Sequence, residues 1–122
     1  MIKKLALIIL FLNLCAAFAA HKAPEKDYQN RFAKTLDNAK TEVVAPDKTR
    51  CDILTDEYAI EVDFANKWAE AIGQSLNYAM QFNKKAGILL ILESPKDYKY
   101  YVRLNSIIKH FKLPISVWKI GE

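Results

Sequence analysis

"TRCDILTDEYAIEVDFANKWAEAIGQSLNY" (residues 49–78) reads as two strands and the helix that follows them. "RCDILT" and "YAIEVDF" flank Asp56-Glu57, and a hairpin turn centred on that pair sets Asp52 opposite Glu61 and Arg50 opposite Asp63. Along the second strand Ala59, Glu61, Asp63 and Ala65 alternate with Tyr58, Ile60, Val62 and Phe64. Successive side chains of a strand point to opposite faces, so one face is greasy and the other charged. Directly paired side chains lie ~5 Å apart at Cβ. Two ionised carboxylates at that separation repel by about 3 kcal/mol at an effective dielectric near 20. A raised pKa, a cation such as Arg50 or Lys67, or a bound divalent metal would offset the repulsion.

The helix is expected from Asn66 to about Asn83, with Trp68, Ile72 and Ala79 on its core stripe. Lys67, Glu70, Gln74 and Tyr78 follow one another at three- and four-residue spacing and form a second stripe beside it. Because the helix begins directly after the Asp63 strand, Lys67 is expected within one turn of the acids.

Outward from this centre the elements follow in order. Tyr28, Phe32 and Leu36 recur at helical spacing, predicting a helix that ends near Asn38 or Lys40. "TEVVA" (41–45) is a short first strand and "PDKT" carries turn chemistry. "GILLILE" (87–93) is too apolar to be half exposed and reads as a central strand. A further helix is expected from about Asp97 to Lys112, with Tyr101, Leu104, Ile107, Ile108 and Phe111 as its core face. Pro114 ends it, and "ISVWKI" (115–120) is the last strand. The order α, three β, α, β, α, β describes a mixed α/β sheet flanked by helices.

The opening "MIKKLALIILFLNLCAAFAA" has two early lysines, an apolar run and small residues before a cut site near Ala20, the layout of a secretory signal peptide over 1–20. Its apolar run is shorter than the ~20 residues that span a bilayer, so no stable membrane insertion is expected after cleavage. Residues 21–27 are read as a flexible lead-in and 28–122 as a single domain. Export makes the periplasm or the exterior the expected location. The formal charge is +4, and removing Lys3 and Lys4 leaves 16 basic against 14 acidic side chains, a balance that argues neither for nor against nucleic acid. Cys51 is the only thiol after residue 20, so it forms no internal disulfide and is expected as a small buried hydrophobe.

No P-loop, nucleotide glycine fingerprint or Ser/His/Asp set is present, which argues against serine hydrolase chemistry. His110 has no second ligand at metal spacing and reads as a surface or cap residue. "PKDYKYYVR" (95–103) interleaves bases with aromatics, a pattern that suits a nucleic-acid backbone as well as an ordinary helix start.

Asp52, then Glu61-Val62-Asp63, then Gln74-x-x-x-Tyr78 in the next helix resembles the PD-(D/E)XK nuclease superfamily, particularly its RecB-like branch with a Q-x-x-x-Y helix. The "AIEVDFANKWAEAIGQ" core is most similar to small exported bacterial proteins of that kind. The resemblance implies a restriction-endonuclease-like α-β-β-β-α-β core with an added C-terminal helix and strand. It also implies a Mg²⁺ or Mn²⁺ ion on Asp52, Glu61 and the Val62 carbonyl, with Gln74, Tyr78 and Arg50 supporting nucleic acid or the site. Asp63 occupies the position of the E-x-K lysine, and an acid there does not stabilise developing negative charge. Lys67 is the expected substitute, since this lysine migrates to the adjacent helix in some members, and Arg50 is the weaker one because its guanidinium stays protonated. The resemblance thus implies a metal-dependent nuclease acting on DNA or RNA, with catalytic Asp52, Glu61, Asp63 and Lys67. The departure at Asp63 keeps open an inactive nuclease-fold binding or scaffold protein.

Overall fold

The strands form one sheet whose order follows the chain. The computed structural model describes residues 20–121; the expected signal peptide lies, but for Ala20, outside the described residues. The elements are α1 (Glu25–Ala33), β1 (Lys40–Val44), β2 (Arg50–Leu54), β3 (Tyr58–Phe64), α2 (Trp68–Phe82), β4 (Lys85–Ile91), α3 (Tyr98–Phe111) and β5 (Ile115–Ile120). Short 3₁₀ turns at Ala65–Lys67 and Pro95–Asp97 lead into α2 and α3. The sheet runs β1-β2-β3-β4-β5. β1, β2 and β3 pair antiparallel, and β3, β4 and β5 pair parallel. Hairpins need only tight turns, whereas the parallel pairs require crossovers, which α2 and α3 supply.

The hairpin register expected from the sequence is found next to the turn, with Ile53 opposite Ile60 and Leu54 opposite Ala59, whereas the expected Asp52–Glu61 and Arg50–Asp63 pairs are not part of the ladder. Thr55 closes the turn: its N–H donates to the Tyr58 carbonyl and its hydroxyl accepts from the Tyr58 N–H at 2.8 Å. Toward Arg50 the ladder gives way to a side chain, for the Asp52 carboxylate accepts the Val62 N–H at 2.7 Å.

Alternation on the strands divides the core. Ile60, Val62, Leu89 and Ile91 face α1 together with Tyr28 and Ile53. Ile88, Leu90 and Leu92 face α2 and α3 with Ala71 and Leu104. β4 is buried on both faces, as its unbroken apolar run requires. Gly87 lets Trp118 cross the α1 face, because an added Cβ would stand 2.7 Å from the Trp118 ring and 3.1 Å from Ile60.

Several boundaries and faces differ from expectation. α1 already begins at Glu25, inside the stretch read as a lead-in, and His21 and Lys22 are tied to Glu93. It ends at Ala33 rather than near Asn38; Thr35 and Leu36 turn back onto the Phe32 and Ala33 carbonyls, and Asn38 takes a left-handed φ of 54°. Phe32 and Leu36 still pack on the core. Phe111, expected on the core face of α3, is 64% exposed, because the helix ends there with Lys112 left-handed. No helix among the described residues is long and apolar enough to cross a membrane.

Candidate functional site

Asp52 on β2 and Glu61 and Asp63 on β3 come together on the face of the sheet that α2 crosses. That face was expected to be charged; it is charged and also buried. Glu61 is 5% and Asp63 6% exposed. The small residues Ala71 and Ser75, both fully buried, let α2 lie close to the sheet, and Tyr78 packs with Cys51 and Ala59 one strand row away.

No cation lies at ion-pair distance from the three acids among the described residues. Glu61 Oε2 and Asp63 Oδ2 are buried with no hydrogen-bond donor. Burial raises Asp52 to about 6, against the pull of the Val62 N–H and hydrogen bonding with Glu61, while the charges of Glu42 and Asp63 push it further up. Glu61 is raised far above the usual carboxylate range, by burial first and then by the charges of Asp52 and Asp63 beside it. Asp63 is raised to about 6 by burial, with hydrogen bonding to Glu61 holding it back. Glu61 is thus the member of the cluster most disposed to hold a proton, with an aspartate on either side. Tyr78 is also raised, by burial and then by Glu61 and Asp52, and stays a neutral phenol.

The other expected residues spread out. Lys67 is exposed at the end of the 3₁₀ turn, and its charge reaches Asp63 and Glu25 without touching either. Arg50 does not pair with Asp63; it lies 3.9 Å from Glu42 on the neighbouring strand. Val62 lends its N–H to Asp52. Gln74 is exposed on α2, one turn before the buried Tyr78. His110 is exposed and meets Phe111 edge to face.

Two further acids belong to this neighbourhood. The register that sets Thr41 against Ile53 and Val43 against Cys51 brings Glu42 across from Asp52, whose carboxyl its charge pushes up. Glu42 takes a left-handed φ of 56° there, and the buried Gln29 donates to it at 3.2 Å. Carrying the strand pairing back through the Pro46–Thr49 turn would have found it, since Ala45 N–H meets the Thr49 carbonyl. Glu25, at the start of α1, is raised by burial and by Asp52; only the packing of α1 reveals it.

A separate acid, Glu93, sits past the end of β4. It accepts His21 Nδ1 at 2.6 Å, the Lys22 N–H at 2.8 Å and the Tyr28 hydroxyl at 2.7 Å. Burial pushes it up, but these three bonds outweigh burial and leave it below the usual range. His21 stacks on Phe64 at 3.5 Å, and a cleft of about 370 Å³ opens beside it toward Asn66, Asp97 and Tyr100.

Fold and site together define a mixed α/β protein with a five-stranded sheet and a buried carboxylate cluster where the hairpin joins the parallel strands. Comparisons with protein families, with curated proteins and with solved structures find no match.

Proposed function

We propose that the chain is an exported, divalent-metal-dependent hydrolase of nucleic-acid phosphodiesters, built on a restriction-endonuclease-like core. The observation that carries the reading is the pair of donorless oxygens, Glu61 Oε2 and Asp63 Oδ2, buried beside Asp52 with no cation in contact. Buried charges are costly unless paired or metal-bound, and oxygen-only donors suit Mg²⁺ or Mn²⁺. Among the described residues no three His, Cys, Asp or Glu side chains enclose an ion by themselves. Mg²⁺ is commonly held by one or two carboxylates with water, and Asp52, Glu61 and the Val62 carbonyl would serve here. Such an ion would neutralise the acids and polarise a phosphoryl oxygen.

The chain's own groups divide the remaining work. Lys67, exposed at the start of α2 near Asp63, supplies the positive charge that Asp63 lacks, beside the phosphate under attack. Asp63, raised to about 6, is poised to accept a proton near neutral pH. Tyr78 holds the helix against Asp52 and Glu61 as a neutral phenol, and Gln74 stands exposed one turn earlier for a nucleic-acid backbone.

A second reading has its own support: a proton on Glu61, shared with Asp52 and Asp63, satisfies the cluster without metal, and would make the chain a binding or scaffold protein. Thermal melts of wild type and Asp52→Asn, with and without millimolar Mn²⁺, separate the two. Binding to the folded state alone at a hundred times Kd stabilises by ~2.7 kcal/mol. At 4 to 8 °C per kcal/mol for a domain of this size, that is about 10 to 20 °C. The rise should vanish in Asp52→Asn, whose amide oxygen still accepts the Val62 N–H. If single- and double-stranded substrates are cleaved, Lys67→Ala should slow cleavage about 10²-fold or more. A wild-type melt that ignores Mn²⁺ and Mg²⁺ would favour the proton-filled cluster and defeat the hydrolase.

A further inference from the structure

The C-terminal part of the chain is as one-sided in charge as the carboxylate cluster. From Tyr98 to Gly121 there are five lysines and arginines and no acid. Among the described residues none of these five enters an ion pair. Three of them, on α3 and β5, instead gather around tyrosines. Lys119 Nζ lies 4.7 Å from the centre of the Tyr101 ring and 5.8 Å from that of Tyr98, and the two rings are 5.7 Å apart. Lys99 and Arg103 lie 5.0 and 5.6 Å from the Tyr100 ring. Tyr98 is 52% exposed, and Lys99, Arg103 and Lys119 are exposed.

The strip ends at the turn that follows β3. β3 and β4 are parallel, with Asp63 opposite Leu90, so the chain leaves both strands at the same end of the sheet. Tyr100 and Tyr101 pack in the cluster that contains Ala65 and Trp68, and Tyr100 lines the cleft with Phe64, Ala65 and Asn66. The first turns of α3 thus abut the 3₁₀ turn that carries Lys67.

We propose that this strip, from Lys119 past Tyr98 and Tyr101 to Lys99, Arg103 and Tyr100, docks single-stranded nucleic acid and leads it toward the carboxylate cluster. Unpaired cations follow a phosphate backbone, and half-exposed rings stack unpaired bases, which a duplex keeps stacked on each other. On the opposite face α1 differs: Glu25 and Asp27 offset its cations, and the ring under Arg31 is the buried Tyr28. The inference names the substrate class of the hydrolase and rests on that reading for its purpose, but its test needs no catalysis.

Fluorescence anisotropy of a labelled oligothymidylate of about fifteen nucleotides, in EDTA at low salt, measures docking with no metal present. Lys99→Glu/Arg103→Glu should weaken binding at least tenfold and lower the slope of log K against log salt by about 1.4, two phosphate contacts at about 0.7 each. Tyr98→Ala should weaken it about five- to hundredfold and leave the salt slope unchanged. Lys26→Glu/Lys34→Glu, at exposed positions within and just after α1, is the charge-matched control and should change little. Circular dichroism checks that each surface variant is folded. No binding, equal loss in the control pair, or binding to anionic phospholipid vesicles in place of the oligonucleotide would overturn the proposal. Docking without cleavage under any divalent metal would leave it standing while the hydrolase fell.

Discussion

Glu61 has acids on two sides and the sheet behind it, so its protonation state is the variable on which the cluster turns. The sign of its effect on stability follows from proton counting. Below about pH 4 folded and unfolded chains both hold these protons. As pH rises, the unfolded carboxyls ionise near their ordinary values, while Asp52 and Asp63 keep their protons until about 6 and Glu61 until higher still. The unfolded state then binds fewer protons, and stability falls. In metal-free buffer the urea midpoint should therefore drop between about pH 4.5 and 6.5, and drop less in Glu61→Gln, which keeps the shape and cannot ionise. Equal drops in both proteins would show that the cluster is not proton-linked. Glu42 adds backbone strain at the same place. Its φ of 56° inside β1 is a conformation that L residues avoid by about 1–2 kcal/mol, and it falls directly opposite Asp52.

Helix ends and strand crossings supply the element-scale tests. α3 stops with Lys112 left-handed at φ 52° while the Leu113 N–H returns to the Ile108 carbonyl. That is a glycine's position, so Lys112→Gly should raise stability by about 0.5–1 kcal/mol in urea titration. A loss would mean that Lys112 makes a contact worth more than the strain. Gly87→Ala should lose about 1–3 kcal/mol, since the Trp118 ring must move off β4. The hairpin was legible because one turn at Asp56-Glu57 sets the pairing of both strands, and β4 because seven residues without a break in apolar character admit few other places. The end of α1 was not legible. Phe32 and Leu36 do face the core, but Leu36 does so from a turn, and helical spacing alone does not distinguish one more turn of helix from a chain that folds back. The same ambiguity misplaced Phe111, whose spacing suits the core while the helix ends at that residue.

At the scale of the molecule, the sheet has one helix on one face and two on the other, and the chain before α1 reaches around to Glu93. Glu93→Ala should leave the buried Tyr28 hydroxyl without its acceptor and free His21 from its stack on Phe64, costing about 1–3 kcal/mol or more, whereas Glu93→Gln should restore part of it. A silent Glu93→Ala would mean that solvent replaces the carboxylate. The three partners of Glu93 lie 65 or more residues away in sequence, and no local pattern announces a pairing of that length. The carboxylate cluster was half legible for the same reason. Alternation on β3 gave its membership, but its burial depends on α2 folding back over the strand, and Glu25 joins only when α1 is docked.

Cys51 offers a way to watch all of this from inside. Its side chain is fully enclosed, its thiol donates to the Ile53 carbonyl, and burial pushes it up to about 12. As thiolate is the reactive species, alkylation must wait for the hairpin to open. With no other thiol beyond residue 20, the labelling rate of a chain made without residues 1–20 becomes a clock for opening events beneath Tyr78. Ligands that clamp the carboxylates should slow that clock, while ligands that dock only on α3 should leave it running at its own pace.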